Sequence, residues 1–170
     1  MSIDRAEFTE VLRDSYSAYY NINPRDDAEL PLIFRADYFS RAERYWLSKK
    51  ITVWANETNE YAYIFSAESF DPELADKCID FALEEALPLV KPHKEHQFTN
   101  VKVILLADSF DAKTIKTVKK RKFTKSYNHS LHGFTNLHCA AVDISAQKAY
   151  PNRAGYELAK YFSKLFALRK

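Results

Sequence analysis

Apolar positions along this chain change period several times, and each change marks an element. Behind Asp4, the residues Phe8, Val11, Leu12, Tyr16 and Tyr19 recur at helical spacing, and Glu7 completes a capping box with Asp4. This predicts an amphipathic helix ending before Asn23-Pro24, then a loop through NPRDDAELP. Leu32 to Tyr45 carries two signals: LIF reads as strand, whereas RADYFSRAERYW can form helix, so both assignments stay open. The runs ITVWAN and YAYIFS flank the polar ETNE and predict a β-hairpin. In that hairpin Ile51, Val53, Ala62 and Ile64 share one face, and Trp54, Tyr61, Tyr63 and Phe65 the other. Both faces are apolar, which places it centrally in a sheet covered on both sides.

Asp71-Pro72 supplies an N-cap and a first-turn proline for the helix PELADKCIDFALEEALPLV, whose apolar stripe holds Leu74, Cys78, Phe81 and Ala82 and which Pro92 stops. VKVILLA, from Val101 to Ala107, is a short continuous apolar strand, and Asp108 and Asp111 lead into a helix over about 112–121. That helix places Ala112, Ile115 and Val118 on one side and Lys113, Lys116 and Lys120 opposite, with Arg121 at the edge. From Phe123 to Leu131 large and small residues alternate, predicting a strand that turns at His132-Gly133 and returns as FTNLHCAAVDI. In that register Tyr127 faces His138, with His129 diagonal to it. A final helix spans about 152–168, with Leu158, Tyr161, Phe162, Leu165 and Phe166 inward. The sum is one domain over residues 1–170, an α/β or α+β fold in which a mixed sheet with two β-hairpins is covered by about four helices.

Composition narrows the chemistry. With 46% hydrophobic and 28% charged residues over 170 positions, the chain has the make-up of an ordinary soluble globular domain with a sizeable core. A formal charge of +2 is too small to imply a global nucleic-acid binder. The N-terminus MSIDRAEFTE lacks the layout of a signal peptide, and no apolar run is long enough for a bilayer. Cys78 and Cys139 lie far apart in apolar surroundings, as reduced thiols of a cytoplasmic protein do. Only two glycines, Gly133 and Gly155, are present, and there is no G-x-G-x-x-G, G-K-[ST], G-x-S-x-G, H-E-x-x-H or C-x-x-C. Phosphate-cradling loops, nucleophile elbows and zincin helices are therefore excluded.

Three candidate chemistries remain. Seven Lys/Arg and no acid fall between Lys113 and Lys125, so Lys113, Lys116, Lys120 and Arg121 are the candidates for phosphate contact, against the plainer reading of a wet helix face. His93-x-x-His96, His129-x-x-His132 and His138-Cys139 have the look of a zinc ligand set, although positions i and i+3 of a strand point apart. Asp108, Asp143, Glu43 and Glu60 offer carboxylates, and the element order resembles that of metal-dependent restriction-type nucleases. The strand YAYIFSA, however, contains neither the acid nor the lysine such a site needs.

Three blocks, ERYWLSKKITVWANETNEYAYIF, LVKPHKEHQFT and KSYNHSLHGFTNLHCAAVDIS, with NRAG downstream, resemble an uncharacterised domain family of Firmicutes bacteria over roughly 43–155. Gln97-Phe98 and Phe134 depart from its pattern. The resemblance implies no activity, cofactor or catalytic residue. It implies a cytoplasmic bacterial protein in which KPHKEH and the hairpin at 125–133 belong together, so a shared polar site would combine Lys91, His93, Lys94, Glu95 and His96 with Lys125, Tyr127, His129 and His132. The expectation is a non-catalytic cytoplasmic binding or interaction module with no cofactor. The alternatives are a metal-assisted phosphodiesterase or hydrolase using His93, His96, His129 and His132 with Asp108, and electrostatic nucleic-acid binding through Lys113–Lys125. A homodimer is compatible with the abundant Tyr and Phe.

Overall fold

In the computed structural model, which describes residues 3–26, 29–45 and 52–168, three parallel strands form the centre and everything else is attached to them. The order is α1 (Arg5–Ser17), β1 (Asn21–Pro24), β2 (Leu32–Tyr45), β3 (Thr52–Ser66), α2 (Pro72–Ala86), β4 (His96–Ala107), α3 (Ala112–Lys120), β5 (Thr124–Ser126), β6 (Phe134–Asp143), β7 (Lys148–Pro151) and α4 (Tyr156–Ala167). A seven-stranded sheet runs β1-β2-β3-β4-β6-β5, with β7 also on β6. The pairs β3–β4 and β4–β6 are parallel and the remainder antiparallel, giving a mixed-sheet α+β fold. Among the described helices none is long and apolar enough to cross a membrane.

Strand alternation divides the interior into two layers. Tyr63, Phe65, Val101, Val103, Leu105, Leu137, Cys139 and Ala141 meet α2 and α3. Ala62, Ile64, Ile104, Leu106, Ala140 and Val142 meet α1 and α4, where Phe8 stacks on Phe166 at 4.8 Å. The helices start where their caps lie: Asp4, Asp71 and Asp111 each accept a hydrogen bond from the backbone N–H three residues on.

Several expectations are corrected. Residues 52–66 form one strand, and ETNE lies in its middle, paired with β2 through Phe39↔Asn59, Ser40↔Thr58, Arg41↔Glu57 and Ala42↔Asn56. Its polarity reflects a β2–β3 ribbon bearing ion pairs, such as Arg41 with Glu57 and Glu95, rather than a turn. The open segment Leu32–Tyr45 is therefore strand, and the β2–β3 turn, with Ile51, lies outside the described residues. Helix α2 ends at Ala86 in a 3-10 turn over Leu87–Leu89, before Pro92 is reached. Tyr19 lies beyond α1 and is exposed, and in α3 the buried positions are Thr114 and Val118, with Ala112 in solvent.

The predicted turn at His132-Gly133 is replaced by a longer loop. The ladder stops at Ser126↔Phe134, and Asn128, His129 and Ser130 take left-handed φ angles of 48°, 51° and 68°. Tyr127 thus donates its N–H to the Gly133 carbonyl and does not face His138. Gly133 at φ +78° lies so close to β4 that a Cβ would come 2.4 Å from the Gln97 carbonyl oxygen, which leaves only glycine for the position.

Strand β7, too short for any periodicity to show, is tied in by Asn152. Its Oδ1 accepts from the N–H groups of Cys139 and Gly155, and its Nδ2 donates to the carbonyls of Arg121 and Leu137. One buried side chain so satisfies four backbone groups from β6, the end of α3 and the start of α4. Replacing Asn152 with Ala leaves them unpaired, and urea denaturation should show a loss of about 2–4 kcal/mol. Asn152→Asp should cost more, because carboxylate oxygen then faces two carbonyls; a change below about 0.5 kcal/mol in either variant would contradict this role.

Candidate functional site

Past Ala62, Ile104 and Ala140 the α1/α4 side of the sheet turns from apolar to polar. The next positions on that face are Glu60 on β3, Lys102 and Asn100 on β4, and His138 on β6. Parallel register sets Glu60 beside Asn100 and Lys102 beside His138. The end of α1, the following turn and the first turns of α4 stand over this floor with Ser15, Tyr16, Tyr19, Tyr20, Glu157, Leu158 and Tyr161, enclosing a cavity of about 450 Å³. That size falls within the usual range for small-molecule sites.

The floor is internally wired. Lys102 Nζ lies 2.7 Å from Glu60 Oε2 and 3.3 Å from the Tyr20 hydroxyl, and Tyr20 donates to the same carboxylate. The ammonium also lies 5.9 Å from the centre of the Tyr20 ring. Burial opposes the charge of Glu60, but Lys102, Tyr20 and Asn100 outweigh it and hold the carboxyl below its ordinary value. Burial, then the bond to Glu60, pushes the Tyr20 phenol well above its ordinary value. Tyr16 and Tyr161 are raised chiefly by burial, and Tyr161 donates to Ser15 at 2.8 Å. His138 is held below its ordinary value by burial and by Lys102, and its imidazole makes no hydrogen bond to the described residues. A lysine and a glutamate this far buried, each 18% exposed, are tolerated because each is the other's partner.

The residues singled out from sequence occupy other places. KPHKEH does reach the 127–133 loop: His96, 3% exposed, donates from Nδ1 to the His132 carbonyl at 2.6 Å, its Nε2 lies 2.8 Å from the Thr99 hydroxyl, and its ring meets Tyr127 edge-on at 5.9 Å. Lys125 stands 5.5 Å from the Tyr127 ring, and the Tyr127 hydroxyl bonds Thr135. His93 pairs with Glu57 at 2.7 Å and Glu95 with Arg41, while Lys91, Lys94 and His129 are exposed. His96, Tyr127 and His132 are thus brought together as a joint between β4 and the loop, and the four loop histidines do not converge as ligands. Among the described residues no group of three or more His, Cys, Asp or Glu is arranged to hold a metal ion.

Asp108 bonds Arg5 beyond the far end of β4 from His96, twelve residues away, so at about 3.3 Å per residue the two are roughly 40 Å apart and share no centre. Asp143 caps the backbone N–H groups of Phe110 and Ala146. On α3 Lys113, Lys116 and Lys120 face solvent, while Arg121 is tied to Asp76 and Asp80 of α2. A second cavity, of about 440 Å³, lies by Lys122, Thr124, Asn136 and Arg153.

Sequence reasoning passed over Lys102, Asn100 and the tyrosine walls, and took Glu60 and His138 for other roles. One signal was present. Lys102 interrupts VKVILLA, a strand buried on both sides, and a charge there requires a partner.

A family model described as a domain of unknown function (DUF8052) matches residues 4–164, and the chain belongs to that family. The matched span includes α1, the strands and the part of α4 that line the cavity. No curated protein and no solved structure matches the chain.

The shifts at the floor set a pH dependence. Because His138 binds a proton less readily folded than unfolded, its contribution to stability is complete above the unfolded value of about 6.5 and is lost as pH falls through the lower folded value. Glu60 adds a second loss in the same direction below about 4.5, its ordinary value. Urea midpoints between pH 7.5 and 5.0 should therefore fall less steeply in His138→Gln than in the unaltered protein. Equal slopes would contradict the assignment.

Proposed function

We propose that this chain is a non-catalytic binding module of the cytoplasm that takes a small molecule into the tyrosine-walled cavity between α1, α4 and the sheet. The observation that carries the reading is the cavity floor. Strands whose neighbouring positions on this face, Ala62, Ile104 and Ala140, are apolar present Glu60, Asn100, Lys102 and His138 together at one place, under a space of about 450 Å³. Polar groups cost free energy when they leave water, and grouped at the base of an aromatic cleft they fix the orientation of a ligand.

The tyrosines and Glu60 favour binding over catalysis. A general base or acid works best with its pKa near the working pH. Here the tyrosines are pushed further up and Glu60 further down. Neither thiol offers a nucleophile: burial pushes both Cys78 and Cys139 up to about 12. Two free, buried cysteines also suit a reducing compartment.

The test is a fragment screen of chemically mixed composition read by two-dimensional NMR on labelled protein. Binding fragments should move the resonances of His138, Lys102 and Tyr20 together, and Tyr19→Ala should weaken the best of them by roughly tenfold, about 1.4 kcal/mol. Hits concentrated at His96, Tyr127 and Gly133 would relocate the site to the β4–loop joint, and a screen without cavity hits would remove the proposal.

A further inference from the structure

The floor of the cavity also constrains what can occupy it, provided that the cavity is a ligand site. The first constraint is charge. Lys102 and Glu60 neutralise each other at 2.7 Å, both at 18% exposure, and Glu157 at the rim has Lys160 at 3.4 Å. Among the described residues every formal charge lining the cavity has a partner, so a phosphate, carboxylate or ammonium would leave water without meeting an uncommitted counter-charge.

The second constraint is spacing. Glu60 neighbours Asn100 across β3–β4, Lys102 follows two residues on, and Lys102 neighbours His138 across β4–β6. Adjacent strands are about 4.8 Å apart, and residues i and i+2 about 6.6 Å apart, so the polar groups form a two-dimensional grid. A single polar head meets one point of such a grid, whereas a ring with hydroxyls on successive carbons meets several. Capacity remains to receive it: the His138 imidazole is unbonded among the described residues, and Lys102 uses two of its three N–H groups, on Glu60 and Tyr20.

The third constraint is the shape of the walls. Tyr16 meets Tyr20 at 59° and Tyr161 at 75°, so the rings make no parallel slot for a flat aromatic system. They offer faces at steep angles, suited to the C–H edges of a puckered ring. Tyr19, 80% exposed at the mouth, adds one more face.

We infer that the occupant is an uncharged, hydroxyl-bearing ring, a neutral sugar standing free or as part of a nucleoside, laid over Glu60, Asn100, Lys102 and His138. Free sugars and nucleosides share this chemistry and are separated by experiment. Saturation-transfer NMR on the full chain would compare methyl glucoside, N-acetylglucosamine, uridine and adenosine with glucose 6-phosphate, glucosamine, UMP and AMP. At least one neutral probe should bind, with its charged counterpart at least about tenfold weaker; the sugar and nucleoside arms then identify the source.

Glu60→Gln leaves Lys102 without its counter-charge, and should swing selectivity toward the phosphorylated member of the pair by at least about tenfold. Tyr19→Ala, a change at an exposed position that leaves the core intact, should weaken the neutral probe by about fivefold or more. A charged probe that binds as tightly as its neutral partner, unchanged selectivity in Glu60→Gln, or unchanged affinity in Tyr19→Ala overturns the inference. So does failure of every neutral probe; if fragments of other chemistry still move His138, the binding role stands and the ligand class falls.

Discussion

Two-sided burial of three parallel strands is the constraint from which the rest of this structure follows. Strands β3, β4 and β6 have helices over both faces, so odd positions such as Tyr63, Val103 and Cys139 serve one layer and even positions such as Ile64, Ile104 and Ala140 serve the other. Parallel pairing then locks residues far apart in sequence to the same height, with no turn to adjust them. Once Ala62, Ile104 and Ala140 are fixed against α1 and α4, Lys102 stands level with His138, and Glu60, level with Asn100, lies one step diagonally from Lys102. The ion pair at 2.7 Å is a consequence of register, and the cavity above it is the space left by side chains that leave the apolar layer.

The opposite end of the sheet shows the same logic with another outcome. Asp143 and Asp108 lie where β6 and β4 run out, and their carboxylates are consumed by Phe110, Ala146 and Arg5. Near the start of β4, His96 and Gly133 join the loop to the strand with distances too short for another side chain. Polar residues at these two places complete the fold. Those under the tyrosines keep hydrogen-bonding capacity in reserve, and that difference separates a candidate site from structural polarity.

How much of this the sequence carried depends on whether the information is local. The four helices announce themselves through Asp4, Asp71-Pro72, Asp111 and the apolar stripe from Leu158 to Phe166, because caps and helical period act within a few residues. β4 and β6 are equally plain as apolar runs. The ETNE segment misled because a half-buried, ion-paired ribbon and a turn share the same composition, and β2 is settled only by pairing with β3. The 127–133 loop departs from a tight hairpin through contact with Gln97 and His96, some 30 residues earlier in the chain. The diagonal approach of Lys102 to Glu60 is of the same kind: the register of β3 on β4 crosses α2, and nothing between them in sequence records it. The histidine pairs drew attention as possible ligands, yet His138, isolated on its strand, is the one that lines the cavity.

The central claim is that the charge-compensated floor of Glu60, Lys102 and His138 receives a ligand. Crystals soaked with a mixed fragment set, followed by difference density, test it most directly. The account predicts fragments in the cavity with polar atoms within hydrogen-bond distance of Lys102 or His138 and carbon atoms against Tyr20 or Tyr161. Fragments bound only elsewhere, with ordered water alone over Lys102 and His138, would contradict it.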